Sequence, residues 1–241
     1  MIGVLLLQLR LIADTSLLEA QRRAIHWLQA QRSAWIDTYT VGLASALDKC
    51  YSWQLRLPLR RYLRKASLAV SVFAAWPEGT PPRPQTLYRL PPEQRYYAQL
   101  LWAHKLPLDT TALRLLAEWW RRGKDYDLTH AYLVAYHLKK HLSYRLPLVE
   151  EIIEQGPPRL IQTFPAHQLC TDLAWEYLAM WALSGFQRDK LGEYLREAIR
   201  YQRPDGGFPG VCEPGAPSAL HTTFLAAWAL SAYLYPFIQA L

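Results

Sequence analysis

Acidic, cysteine and histidine side chains recur at the heads of three apolar stretches in the C-terminal half of the chain. Asp125, Asp127 and His130 stand at the start of YDLTHAYLVAYHL (126–138). His167, Cys170 and Asp172 stand at the start of CTDLAWEYLAMWAL (170–183), and His221 opens LHTTFLAAWAL (220–230). Asp, Cys and His are the residue types that bind zinc. Cys170, Asp172 and His221 are therefore candidate metal ligands, with zinc as the candidate cofactor. Each residue also has a plainer use. Asp127, Asp172 and Asp37 sit where a helix N-cap would, worth about 1 kcal/mol. His130 and His221 can be buried against a neighbouring helix, and Cys170 can serve as a small core hydrophobe.

These residues can act together only if the fold brings the helix heads to one place. Strand signals are nearly absent, and apolar residues recur at helical spacing between breaks at Pro and Gly, Gly156 among them. Aligned on their shared last leucine, Leu138, Leu183 and Leu230 stand 45 and 47 residues apart. Each of the three stretches is apolar on almost every face, which predicts a buried helix. Between them lie amphipathic, charge-rich segments such as DTTALRLLAEWWRRG and RDKLGEYLREAIRYQ. The order is outer helix, inner helix, repeated.

Two earlier pairs extend the pattern. WIDTYTVGLASALDKCYSW and PPEQRYYAQLLWAHKL read as inner helices, with SLLEAQRRAIHWLQAQR and LPLRRYLRKASLAVSVFAAW as their outer partners. The N-terminal MIGVLLLQLRLIAD reads as a separate buried helix, and the proline cluster WPEGTPPRPQ as a long loop. Periods of this size signal repeat architecture. The expected fold is a single all-α domain, 1–241, of about five helical hairpins, 10–11 helices in all. Either an open solenoid or closure into an α/α toroid satisfies the pattern, and closure hides the apolar inner faces better.

Composition narrows the functional classes. The chain has 241 residues and a formal charge of +7, and 51% of it is hydrophobic. Ten Trp, fifteen Tyr and six Phe are enough to line a pocket as well as fill a core. The Arg residues are scattered along outer helices, with no run of five or six basic residues, so nucleic acid is a disfavoured partner. Three widely spaced cysteines without a CxxC motif predict free thiols and a reducing, cytoplasmic compartment. The apolar start is interrupted by Gln8 and Arg10, which fits neither a signal peptide nor a membrane span. Walker A, GxGxxG, GxSxG, HExxH and DDxxD motifs do not occur.

The segment YQRPDGGFPG (201–210) breaks the helical pattern sharply. Pro204 forbids the helix to continue, and Asp205-Gly206-Gly207 supplies a tight turn with positive φ available at glycine. Gln202 can then bind backbone groups at a neighbouring helix end, and Phe208 can pack back on the preceding helix. The segment reads as a clasp between consecutive hairpins.

Gln202, Asp205, Gly206, Gly207 and Phe208 resemble the Gln-x-x-Asp-Gly-Gly-aromatic turn of the α/α-toroid superfamily of terpene cyclases and protein prenyltransferase β subunits. The resemblance spans about residues 165 to 235. It implies a toroid with a central, aromatic-lined cavity. It also implies a zinc role for His221, whose helix looks like the one that carries a zinc-binding His in prenyltransferases. Cys170-x-Asp172 is similar to their Asp-x-Cys pair in reverse order. Asp125-Tyr126-Asp127 resembles part of the Asp-x-Asp-Asp acid motif of class II terpene cyclases, with Leu128 in the last place. That likeness casts Asp127 as a proton donor and His130, one turn on, as the group that positions its proton. The expected function is cyclisation or group transfer on an apolar, isoprenoid-like small molecule, alone or with a partner subunit. The alternative is a non-catalytic helical-repeat binding or scaffold protein.

Overall fold

The computed structural model describes residues 2–31, 41–55, 57, 82–103, 105–106, 108–141 and 146–237, with their side chains from Thr15 onward except those of Glu93 and His141. Ten α-helices occur among them: α1 (Ile2–Ala30), α2 (Val41–Tyr51), α3 (Pro84–Leu87), α4 (Pro92–Leu101), α5 (Thr110–Arg122), α6 (Asp125–His141), α7 (Pro147–Thr163), α8 (Asp172–Ser184), α9 (Arg188–Ala198) and α10 (Leu220–Leu234). No strand occurs among the described residues; Pro209 and Ser218 form an isolated antiparallel bridge. The chain is all-α, as its periodicity predicts. Residues 58–81, which hold most of one expected outer helix and of the proline cluster, lie outside the described residues, as does Asp37.

The helices fall into two compact units. One unit joins α1 to α8, α9 and α10. Its inner rods are α8 and α10, in which every residue from Ala174 to Ala182 and from Thr222 to Ala232 is buried. They pack on each other, and α10 also packs on α1. α1 presents Leu17, Ala20, Gln21, Ala24, Trp27 and Leu28 at three- to four-residue spacing, all buried. The Gln21 amide donates to the Ser231 hydroxyl at 2.6 Å, and that hydroxyl donates to Ala227 O, so these two buried side chains pair with each other and the backbone. α9 is amphipathic and buries Leu191, Gly192, Leu195 and Ala198.

α1 departs from expectation. MIGVLLLQLRLIAD and SLLEAQRRAIHWLQAQR read as two helices, yet one helix runs from Ile2 to Ala30. With no Pro in the span, continuing the backbone ladder satisfies more groups than breaking it does.

The other unit holds α2 to α7. α6 packs on α5 and α7, and α4 packs on α5 and α6. α5 starts at an Asp109 N-cap that accepts from Thr111 N at 2.7 Å, and stops at Gly123, φ 59°. Arg159 of α7 finishes that stop. Its guanidinium lies over the Trp120 ring at 4.4 Å and donates to Trp120 O at 2.7 Å. α7 passes straight through Gly156-Pro157-Pro158, a run that reads as a break. Gly156 and Pro157 are buried, and a Cβ on Gly156 would stand 2.5 Å from the Tyr132 ring of α6. Packing against α6 here outweighs the hydrogen bonds that proline removes.

Candidate functional site

At the heads of α8 and α10, two of the three expected elements do meet. Both helices start at the same end of their contact, because the hydroxyl of Thr222 in the first turn of α10 donates to Asp172 in the first turn of α8. Asp172 is not the N-cap of α8. Thr171 takes that place, accepting from Ala174 N while donating to Gln168 O at 2.8 Å. His221, beside Thr222, is half-buried, and His167 is exposed in the short 3-10 turn Ala166–Gln168.

Cys170 forms a disulfide with Cys212. This corrects the expectation of free thiols. An odd count of widely spaced cysteines conceals one bonded pair, because pairing depends on folded distance and not on spacing. Cys170 is buried, whereas Cys212 lies on the exposed loop between the turn and α10.

One of the three expected zinc ligands is not available as a thiolate here. A metal ligand from cysteine is a thiolate, and the Cys170 sulfur is committed to a second sulfur. Asp172 accepts a hydrogen bond from the Thr222 hydroxyl at one of its oxygens. Among the described residues, no group of three or more His, Cys, Asp and Glu side chains is placed to hold a metal ion.

In the other unit, Asp127 lies in the first turn of α6 and pairs with Arg122 at 3.3 Å. The His130 ring stands among Tyr97, Trp119 and Tyr126, with centroids 5.5, 5.7 and 6.1 Å away. Asp127 is thus held by a cation at the surface, and His130 by rings.

No protein-family model, curated protein or solved structure matches this chain.

The 202–219 segment is held by a dense set of hydrogen bonds. Gln202 Nε2 donates to Ala20 O at 2.8 Å and to Gly206 O at 2.9 Å. Arg23 donates to Arg203 O at 2.8 Å, and the Trp27 indole N–H donates to Asp205 Oδ2 at 3.0 Å. The other Asp205 oxygen accepts from Gly207 N and from the Ser218 hydroxyl. Burial pushes the Asp205 carboxyl up. The Gly207, Ser218 and Trp27 donors and the Arg23 charge outweigh it, and hold the group below the usual carboxylate range.

Gly206 takes φ 95° with a Cβ position only 2.8 Å from Arg23 O, so only glycine fits. Phe208 is fully buried and meets Trp175 of α8 edge-on at 4.8 Å; its N–H donates to Thr223 Oγ1 at 2.8 Å. The segment is a clasp, but a wider one than the sequence suggests. It ties α1, α8 and α10 together. Gln202 reaches a carbonyl inside α1 and not at a helix end, and Phe208 meets the Trp175 ring of α8.

Sequence reasoning missed Trp27, Arg23, Thr222 and Thr223 in this network. Their only signal is position on a buried helix face, which does not say what polar loop lies opposite.

Proposed function

We propose that this chain is an α/α-toroid protein acting as a non-catalytic binding scaffold. Three observations support the ring. Buried and amphipathic helices alternate, a Gln-x-x-Asp-Gly-Gly-Phe clasp follows an outer helix, and the first helix lies against the last. A closed ring brings first and last elements together; an open solenoid leaves them apart.

One observation carries the non-catalytic reading: three of the side chains at the inner-helix heads are already engaged. Cys170 is in a disulfide, Asp172 holds Thr222, and Asp127 holds Arg122. Cyclisation or group transfer on an isoprenoid-like substrate asks for a dry, unengaged acid or a metal. Asp127 supplies neither dryness nor freedom. The aromatics on α8 and α10 are packed as core: Trp175, Tyr177, Trp181, Phe224 and Trp228 are all buried.

The test is to incubate the purified protein with polyprenyl diphosphates and with a linear polyene, with and without zinc or magnesium. Asp127→Asn, Asp172→Asn and His221→Ala are compared with the unaltered chain. The scaffold reading predicts no product, and a lower unfolding midpoint for Asp172→Asn. A product whose formation stops in any of these variants, with the midpoint unchanged, overturns it.

A further inference from the structure

A cavity of about 300 Å³ opens among α3, α4 and the start of α5. Its apolar wall includes Leu87, Leu106 and Leu108, and its polar groups are Arg95, Gln99 and Asp109. The volume suits a molecule at the small end of what protein pockets take.

Arg95 is arranged in a distinctive way. Its guanidinium lies over the ring of Tyr88 at 5.1 Å and over that of Tyr96 at 4.8 Å. One N–H donates to the Tyr96 hydroxyl at 2.9 Å. The two rings orient the guanidinium without neutralising its charge. The donors along its edge are suited to grip a carboxylate through two parallel bonds. No carboxylate among the described residues pairs with it.

Asp109 lines the same cavity and does not pair with Arg95. One of its oxygens caps α5 by accepting from Thr111 N. The second carries no such duty. The side-chain oxygen of Gln99 is buried and has no hydrogen-bond partner, an arrangement that costs free energy unless a donor reaches it. The cavity thus offers a fixed cation, a separate anion, an unfilled acceptor and an apolar wall.

We propose that this cavity binds a free α-amino acid with an apolar side chain. The carboxylate meets Arg95, the ammonium meets Asp109 and Gln99, and the side chain lies along Leu87, Leu106 and Leu108. A simple anion would face Asp109 unfavourably, and a simple cation would face Arg95. A zwitterion answers both charges. The proposal needs only α3 to α5, so it stands or falls apart from the toroid and from the scaffold reading.

The test is calorimetric titration of the full chain with L-leucine and with L-phenylalanine. Leucinamide, which lacks the carboxylate, and N-acetyl-leucine, which lacks the ammonium, are the comparators. The expected result is saturable binding of at least one amino acid, weakened about tenfold or more in both derivatives. Arg95→Met is expected to weaken amino-acid binding by a similar factor. Asp109→Asn keeps the helix cap, since Asn caps as well as Asp, and is expected to weaken L-leucine while leaving N-acetyl-leucine unchanged. If Arg95→Met does not fold, the derivative series on the unaltered protein decides alone. Absence of binding by both amino acids at about 10 mM, or equal binding of leucine and leucinamide, overturns the proposal.

Discussion

Asp205 shows how one side chain can close a turn and tie it to a helix. Its carboxylate gathers donors from Gly207, Ser218 and Trp27, and the last of these lies on α1. Because the folded group is held below its ordinary value of 3.8, its contribution is complete above that value and is lost as pH falls through the depressed one. Asp205→Asn should therefore lower stability at pH 7, by about 1 kcal/mol for the lost charged hydrogen bonds. It should also narrow the gap between the unaltered and variant proteins as the solution is taken below the ordinary carboxylate value. Denaturant midpoints at neutral and acid pH measure both effects; an equal gap at both would contradict the assignment. The turn itself was legible in the sequence, since Pro204 and the Gly206-Gly207 pair leave a chain few other paths. Its partners were not legible. Ala20 and Trp27 are remote in sequence, and nothing in their own neighbourhoods marks them as loop acceptors or donors.

Pairs of helices in both units approach closely at a glycine. In α7, Gly156 leaves room for the Tyr132 ring of α6; in α9, Gly192 leaves room for Tyr233 of α10, where an added Cβ would stand 2.5 Å from the hydroxyl. A buried ring cannot yield as an exposed chain end can, so Gly156→Ala should cost about 1–3 kcal/mol. Replacing Tyr132 with Leu in the same chain should return part of that loss. A double-mutant cycle by urea denaturation gives the coupling directly, and a coupling of zero would show that the two residues do not compete for space. The sequence made Gly156 look like a punctuation mark. Helix type and the alternation of buried with amphipathic helices came from periodicity and are seen in α5, α6, α8, α9 and α10, whereas the role of a glycine inside a helix depends on what faces it. The same limit explains why α1 joins two segments that read as separate helices.

At the scale of the chain, the Cys170–Cys212 bond closes a loop with a sequence separation of 42 residues and anchors the clasp segment to the base of α8. Loop-closure entropy for that separation corresponds to about 4 kcal/mol of stabilisation. Reduction should lower the unfolding free energy by roughly 2–4 kcal/mol, measured by denaturation with and without a dithiol. A shift of less than about 0.5 kcal/mol would mean that the clasp holds without the bond. No helix among the described residues is long and apolar enough to cross a membrane. The residue types at the inner-helix heads suggested a metal centre from sequence, and folding does bring the heads of α8 and α10 together through Thr222 and Asp172. What the sequence could not disclose is that those groups satisfy one another. The sharpest measurement is therefore the zinc content of the protein, before and after reduction, in the unaltered chain and in His221→Ala. Structural use of the helix heads predicts less than about a tenth of an equivalent of tightly held zinc in every case. One equivalent bound by the reduced chain and lost in His221→Ala would contradict it.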